Sequence, residues 1–143
     1  GAVVYQNRET KTSGIFACGN VLQVHDLVDF VSEEAELAGQ SAAQLVLGEK
    51  KERDTINVVN GKNITYVVPQ MIDKNLQGNV KLFFRGSNTF RDCTINVTCG
   101  DTLIFSRKKK IVVPGEMETV ILTEAKLKDV KGEIQVSLEV ENA

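Results

Sequence analysis

The residues near the start of the chain that are best placed to contact a ligand follow a short apolar run. Residues 15–17 are predicted to form a buried strand, and Gly19 and Asn20 come almost directly after it. Glycine lets a backbone approach a ligand closely, and the ligands of open α/β sheets collect at the carboxyl ends of strands. The spacing therefore predicts a ligand contact at Gly19 and Asn20.

Two reactive side chains lie on either side of this point. His25 is the single histidine of the chain, and because an imidazole titrates near neutral pH, proton transfer is one role for it. A lone histidine at the start of a helix is more often a cap or a surface residue. Cys18 lies within the apolar segment, where an inert buried thiol is favoured over a redox thiol. We therefore assign no catalytic residue and no metal ligand from the sequence.

The charge of the chain argues against a nucleic-acid partner. Its formal net charge is −2, whereas a dedicated nucleic-acid binder usually carries a strong basic excess. One basic run, residues 107–110, lies between two apolar runs and has no interleaved aromatic residues. It predicts a solvated hairpin or a protected edge strand. Glu116 and Glu118 beyond it are expected in a surface turn.

The cysteines and the apolar stretches bear on the compartment. Cys18, Cys93 and Cys99 form no Cys-x-x-Cys pair, and an odd count suits a reducing compartment with free thiols. No apolar stretch approaches the roughly 18 to 20 residues that cross a bilayer, and the N-terminus has no signal-peptide pattern. The sequence predicts a cytoplasmic protein without a membrane partner.

Residues 26–47 are predicted to form one long helix after the Gly19 segment. Glu33, Glu34 and Glu36 fall largely between its apolar residues, which recur at helical intervals. These apolar residues are Leu27, Phe30, Val31, Leu37, Leu45 and Val46. Small residues that let a backbone or a flat ligand approach are Ala35, Ala38, Gly39, Ala42 and Ala43.

Beyond this helix the apolar residues recur every second position, which predicts successive strands. The change of period divides the chain into two regions, residues 1–50 and residues 51–143. Asn60 and Gly61 lie between two apolar runs and are typical of a tight type I′ hairpin, in which both central residues need a positive φ. A hairpin is therefore expected at this point.

The remaining strands are short and evenly spaced. They are predicted at residues 80–85, 94–98, 103–106, 111–113, 119–123 and 134–140. With the two strands of the hairpin, seven or eight strands in about 90 residues fit an immunoglobulin-like or fibronectin-type sandwich, although the signature tryptophan is missing. A small barrel is the other arrangement that this pattern allows.

A family resemblance rests on residues 12–20 (TSGIFACGN) and on the small residues 38–43 (AGQSAA) of the helix. The first segment resembles the second FAD-binding motif of pyridine nucleotide-disulfide oxidoreductases, T-x-x-G-[IV]-[FY]-A-x-G-D, which an alanine- and glycine-rich helix follows. Residues 18–30 (CGNVLQVHDLVDF) are similar to the branch labelled NAD(FAD)-dependent dehydrogenases, close to sarcosine-oxidase-α-like proteins. The resemblance covers about the first 50 residues.

The resemblance implies that Gly19, Asn20 and Val21 line the ribityl chain of FAD. It also implies that the following helix directs its positive dipole end at the flavin pyrimidine edge. Asn20 replaces the family's aspartate, which keeps hydrogen bonding but removes the charge. The resemblance and the strand pattern together predict an α+β fragment, with a partial FAD-binding domain at residues 1–50 from the resemblance and an all-β immunoglobulin-like sandwich at residues 51–143 from the strand pattern.

The glycine-rich fingerprints that bind dinucleotides are not present in this sequence. The pyrophosphate cradle for FAD and the NAD(P)H site are therefore expected upstream, in what we call the parent protein. The parent is expected to pass a hydride from NAD(P)H to FAD. The isolated chain is expected neither to catalyse this reaction nor to retain FAD, and its partner is the rest of the parent flavoprotein.

Two other interpretations remain open from the sequence. The β-rich region can be a non-catalytic binding or dimerisation module, which predicts an exposed apolar patch on one sheet face. It can also be a structural cover without a ligand of its own. The long helix, separated from its usual neighbours, is expected either to dock on the β-rich region through its large apolar residues or to form a homodimer.

Overall fold

The computed structural model describes residues 2–24, 28–46 and 53–140 of the 143-residue chain. It is mostly β, with one long and one short helix, so the predicted α+β class is confirmed at that level. The helices are α1 (Val28–Val46) and α2 (Glu124–Lys128). The strands are β1 (Thr55–Asn60), β2 (Ile64–Val68), β3 (Met71–Asp73), β4 (Val80–Gly86), β5 (Phe90–Cys99), β6 (Thr102–Val112), β7 (Glu118–Leu122) and β8 (Ile134–Val140).

The strands form two sheets. One contains five strands in the order β3-β1-β8-β5-β6, and the other contains three in the order β2-β4-β7. All paired strands are antiparallel except β1 and β8, which run parallel. The parallel pair joins the first and last strands of this region, and the chain crosses between the two sheets several times before β8 returns to the first sheet beside β1.

One apolar core lies between the two sheets and takes side chains from both. On β8 the buried residues alternate with partly or fully exposed ones, as the period of two predicts for a strand with one buried face. Large core side chains without exposed surface include Leu82, Phe84, Ile95, Leu122 and Leu138. Each such side chain contributes about 1.5 to 3 kcal/mol by leaving water, so this core stabilises the β-rich region.

The predicted hairpin at Asn60 and Gly61 is wrong, because β1 and β2 lie in different sheets. The Gly61 N–H donates to the Val136 carbonyl over 2.7 Å, so the chain continues to pair with β8 after β1 ends. The positive φ of this connection is at Asn63, at 66°. The apolar residues of β2 are needed on the inner face of the second sheet, and that burial overrides the local turn preference.

Other boundaries differ from the sequence prediction in physical detail. The two strands predicted at residues 103–106 and 111–113 are one long strand, β6, which runs through the basic residues between them. Neither β3 nor α2 was predicted. In α2 the Thr123 side chain accepts a hydrogen bond from the Lys126 N–H, and Leu127 is buried, so a short amphipathic turn closes the end of the core.

The basic residues of β6 protect an edge of the five-stranded sheet, as the sequence predicts. The Arg107 guanidinium donates to the Thr119 carbonyl of β7 over 2.9 Å, and Lys109 pairs with Glu118 over 3.2 Å. These contacts connect the outer strands of the two sheets. Glu118 is buried, so its predicted place in a surface turn is wrong, whereas Glu116 is exposed as expected.

The long helix is observed as α1, and residues 26, 27 and 47 of its predicted range lie outside the described residues. Its buried stripe is Glu34, Ala38 and Ser41, a spacing of four and three residues that puts all of them on one helix face. Leu37 and Val46, expected at the contact if the helix docks on the β-rich region, are 37% and 86% exposed. The buried positions of the helix therefore carry small and polar side chains rather than its large apolar ones.

Candidate functional site

The apolar run before Gly19 is not a buried strand. Phe16 forms one isolated bridge with Glu9, the Ala17 N–H donates to the Arg8 carbonyl over 2.9 Å, and Ile15 is 54% exposed. The run lacks a neighbouring strand among the described residues and therefore pairs only with the preceding turn. Its one buried residue, Ala17, packs with Val4 and Leu22 beside the candidate site.

Gly19, Asn20 and Val21 form a single turn of 3₁₀-helix. The N–H groups of Leu22 and Gln23 both donate to the Gly19 carbonyl, each over 3.0 Å. Gly19 has a φ of +71°, a value that side chains with a Cβ rarely adopt. A Cβ added there would meet no heavy atom within 4 Å, so the conformation favours glycine, packing does not demand it, and the space beside the turn is open.

The turn is held by a carboxylate from α1. Glu34 accepts a hydrogen bond from the Gly19 N–H at Oε1 over 3.1 Å. Its Oε2 accepts from Arg8 Nε over 3.3 Å and from Gln23 Nε2 over 3.0 Å. Only 2% of the Glu34 side chain and 4% of the Arg8 side chain are exposed. A buried network therefore joins the N-terminal loop, the 3₁₀ turn and the helix.

Burial is the largest influence on the pKa of the Arg8 guanidinium and lowers it below its usual value. The neighbouring Glu34 carboxylate opposes this lowering through its charge and its hydrogen bond. An arginine remains charged under such opposing effects, so Arg8 and Glu34 form a desolvated ion pair. Pairs of this kind stabilise a fold weakly, but removal of one partner costs about 3 to 5 kcal/mol.

The sequence analysis did not identify this network. Glu34 was placed on the polar face of the helix, and Arg8 and Gln23 were not singled out. The available signal was the helical spacing of Glu34 with Ala38 and Ser41, which share one face. A glutamate on the same helix face as small residues indicates a carboxylate that lies close to another part of the backbone. Only the structure shows that this backbone is the turn at Gly19.

A second polar cluster fixes the loop before the turn. Glu9 pairs with Arg53 and accepts a hydrogen bond from the Gly14 N–H over 2.9 Å. The Arg53 guanidinium also lies 4.1 Å from the centroid of the Tyr5 ring, and the Tyr5 hydroxyl is 2.6 Å from the Thr55 hydroxyl. Arg53 and Thr55 belong to the β-rich side, so this cluster joins the two regions of the chain.

The N-terminal segment also extends the edge of the five-stranded sheet. The Gln6 side chain accepts from the Asp73 N–H and donates to the Asp73 carbonyl, both over 2.8 Å, and so replaces a strand residue beside β3. The Met71 N–H donates to the Val4 carbonyl over 3.1 Å. Four buried apolar residues accompany these bonds: Val4, Ala17, Leu22 and Val68. The helix and the turn are thus anchored on the β-rich region.

A cleft of about 470 Å³ lies between α1 and residues 75–83. The Lys81 ammonium is 5.4 Å from the centroid of the Phe30 ring and 5.3 Å from that of Phe83. It also lies 3.9 Å from a Glu33 carboxylate oxygen. The Lys81 ammonium therefore contacts side chains of α1 and of β4 on the two sides of the cleft. The helix docks on β4 through these contacts rather than through a large apolar face.

The other candidate residues do not gather at this site. His25 lies outside the described residues, and so does the segment that precedes α1. Cys18 is half-buried, and all three thiols are free, as the sequence predicts. Across residues 2–24, 28–46 and 53–140, no three or more His, Cys, Asp or Glu side chains are grouped to hold a metal ion. Neither helix in the described part of the chain has the length and apolarity needed to span a bilayer.

The chain was compared with models of protein families, with curated proteins and with solved structures, and it matches none of them.

Proposed function

We propose that this chain is the C-terminal part of an FAD-dependent NAD(P)H oxidoreductase related to the pyridine nucleotide-disulfide family. In this proposal residues 1–50 complete the FAD-binding domain, and residues 51–143 form an accessory immunoglobulin-like domain. Gly19, Asn20 and Val21 line the ribityl chain of FAD. The observation that carries the proposal is the conformation of Gly19, together with the family-like sequence around it.

Gly19 supports a ligand contact in two ways. Its positive φ favours glycine over residues with a Cβ, and no heavy atom lies within 4 Å of where a Cβ would be, so a ligand can approach the backbone there. The glycine is not needed for close packing inside the described part of the chain. An open turn in this conformation leaves room for an extended polyol chain to lie against the backbone.

The exposed apolar side chains around the turn agree with this assignment. Ile15, Val21 and Val24 are 54%, 64% and 62% exposed, within ten residues of sequence. Exposed apolar side chains this close in sequence are candidates for a surface that a partner or a ligand covers. We assign their cover to the upstream part of the flavin-binding domain and to the cofactor itself.

The activity that follows belongs to the parent protein. FAD accepts a hydride from NAD(P)H there, and the protein supplies binding, orientation and electrostatics. The present chain supplies backbone along the ribityl group and a helix behind it. The predominantly antiparallel strands of the β-rich region, in two sheets around one core, support the immunoglobulin-like assignment, and the free thiols support a cytoplasmic location.

The proposal is tested by the flavin content of the parent protein after gel filtration. Asn20→Leu should reduce the bound FAD, because a polar ribityl group would then lose its partner in a desolvated site. Asn20→Asp, which restores the family's residue, should retain it. Full FAD occupancy in Asn20→Leu would remove Asn20 from the flavin site. The isolated chain should show no micromolar quenching of FAD fluorescence, since most contacts that offset the entropic cost of binding lie upstream.

The alternative of a binding or dimerisation module depends on an apolar sheet face. The outward residues of β8 are polar, with Gln135 and Glu139 exposed. The exposed large apolar residues of the described β-rich region are few: Leu103 and Ile111 lie near opposite ends of β6, and Ile121 lies on β7. Scattered residues of this kind are ordinary surface, so no observation favours this alternative over the flavoprotein assignment.

A further inference from the structure

Among the acidic side chains of α1 whose burial is described, Glu34 alone is turned away from water, towards the Gly19–Val21 turn. It is 4% exposed, whereas Glu33 and Glu36 on the same helix are exposed. Carboxylates are rarely buried unless they are paired and hydrogen-bonded, and Glu34 meets both conditions. A glutamate on a helix surface is ordinarily solvated, so the burial of Glu34 points to a structural role for its carboxylate.

The two oxygens of Glu34 have different partners. Oε1 accepts from the Gly19 N–H, and Oε2 accepts from the Arg8 and Gln23 side chains. The donors to Oε2 fix the plane of the carboxylate, so that Oε1 is held in one direction. The hydrogen bond from the Gly19 N–H to Oε1 then fixes the direction of that N–H and with it the φ of Gly19.

The anchor of this arrangement is the helix rather than the turn. Glu34 lies in the second turn of α1, six residues after its first described residue, Val28. A helix of 19 residues is rigid compared with a single 3₁₀ turn of three residues. The position of the turn is thus coupled to the helix through a charged hydrogen bond, which is stronger than a neutral one.

We infer that Glu34 is a positioning residue for the flavin contact: its carboxylate holds the Gly19–Val21 turn in the conformation that receives the ribityl chain. This inference rests on the proposed function. Glu34 does not touch the cofactor, and it acts through the Gly19 amide. The ion pair with Arg8 serves to orient the carboxylate, since a buried ion pair adds little net stability but strongly penalises the loss of one partner.

The substitution Glu34→Gln tests the inference, with Glu36→Gln as the matched control. A glutamine offers one acceptor and one amide donor where the site presents donors from Gly19, Arg8 and Gln23. Glu36 lies on the same helix, is exposed, and accepts only a local bond from Gln40 over 3.3 Å in the described contacts. The two variants therefore remove the same charge from the same helix.

The first measurement is made on the present chain and needs no flavin. Exchange of the Gly19 amide proton, followed by NMR, should be at least about tenfold faster in Glu34→Gln, which is about 1.4 kcal/mol in the opening equilibrium. It should be unchanged in Glu36→Gln. An unchanged Gly19 exchange rate in Glu34→Gln would overturn the inference.

The second measurement is made on the parent protein. FAD should dissociate at least about tenfold faster from Glu34→Gln than from wild type, and the visible spectrum of the remaining bound FAD should change. General destabilisation would lower the melting temperature without changing that spectrum. Faster Gly19 exchange combined with unchanged FAD dissociation and spectrum would overturn the inference while the proposed function stands. A wild-type parent without FAD would instead remove the proposed function and the inference with it.

If Glu34→Gln does not fold, Glu34→Asp replaces it. Aspartate keeps the charge for Arg8 but is one methylene shorter, so it withdraws the oxygen from the Gly19 N–H. Faster Gly19 exchange and faster FAD loss in this variant support the inference. Wild-type values for both in Glu34→Asp contradict it.

Discussion

The β-rich region, residues 53–140, and the N-terminal region, residues 2–46, are held together by different forces. The β-rich region encloses a single core of buried apolar side chains between two sheets. The N-terminal region contributes three buried apolar residues to one small cluster that it shares with Val68 of β2, and most of its specific contacts are hydrogen bonds and ion pairs. Its buried polar residues include Arg8, Glu9, Gln23 and Glu34.

The two kinds of contact have different effects: apolar burial contributes most to stability, and polar networks fix the local geometry. Apolar burial is non-directional and tolerates small shifts, so it stabilises a region without fixing one turn. Buried polar networks add little net stability, but they are satisfied only in one arrangement. The β-rich region is therefore the part that supplies folding free energy, and the N-terminal region is the part whose conformation is specified closely around Gly19.

The largest expected effect of a substitution is in the β-rich core. Phe84→Ala, at a fully buried position of β4, should lower the free energy of unfolding by about 3 to 5 kcal/mol through lost burial and a new cavity. Urea unfolding of the whole chain measures this. Ile121→Ala, at a residue 53% exposed on β7, is the control and should stay within about 0.5 kcal/mol of wild type. Equal losses from both would show that this core does not dominate stability.

A smaller and local effect is expected where the two regions meet. Gln6→Ala removes both hydrogen bonds to Asp73, which costs about 1 to 3 kcal/mol because the Asp73 N–H is left buried. Hydrogen exchange should rise in residues 2–24 and stay unchanged in β5 and β8. Gln77→Ala, at an exposed residue, is the control. If β5 and β8 lose protection equally, the two regions unfold as one unit and the comparison fails.

The smallest effect concerns a thiol of the β-rich region. Burial raises the pKa of Cys93 above its usual range, so the folded chain keeps the neutral thiol to higher pH than the unfolded chain does. Because the unfolded thiol ionises first, stability should decline slightly as pH rises above about 8.5. Alkylation with iodoacetamide at that pH should be slower at Cys93 than at the half-buried Cys18 and Cys99. Fastest labelling at Cys93 would contradict this account.

The parts of the fold that the sequence predicted have a strong internal period. Residues 134–140 alternate between apolar and polar side chains and form β8 with those bounds, and residues 28–46 repeat at helical intervals and form α1. Where the local signal conflicted with burial in a distant sheet, the prediction failed. Asn60 and Gly61 favour a tight turn, yet the following residues pair with a different strand because their apolar side chains complete the second sheet.

The candidate site was predictable only in its backbone. A glycine followed by a polar residue after an apolar run predicted a ligand contact at Gly19 and Asn20; the structure has a 3₁₀ turn there, and the ligand contact stays a prediction. The residues that hold that turn are far apart in sequence. Glu34 is 11 residues from Gln23, 15 from Gly19 and 26 from Arg8. No local pattern relates such positions, because their pairing depends on how the helix returns across the loop.

The central claim, that FAD lies against the Gly19–Val21 turn, is tested most directly by hydrogen exchange on the parent protein with and without bound FAD. The account predicts that FAD slows exchange in residues 15–24 by at least about tenfold, since a bound ligand stabilises the state it contacts. Exchange in β5 and β8 should not change. Unchanged exchange in residues 15–24, with flavin demonstrably bound, would contradict the assignment of this turn to the flavin site.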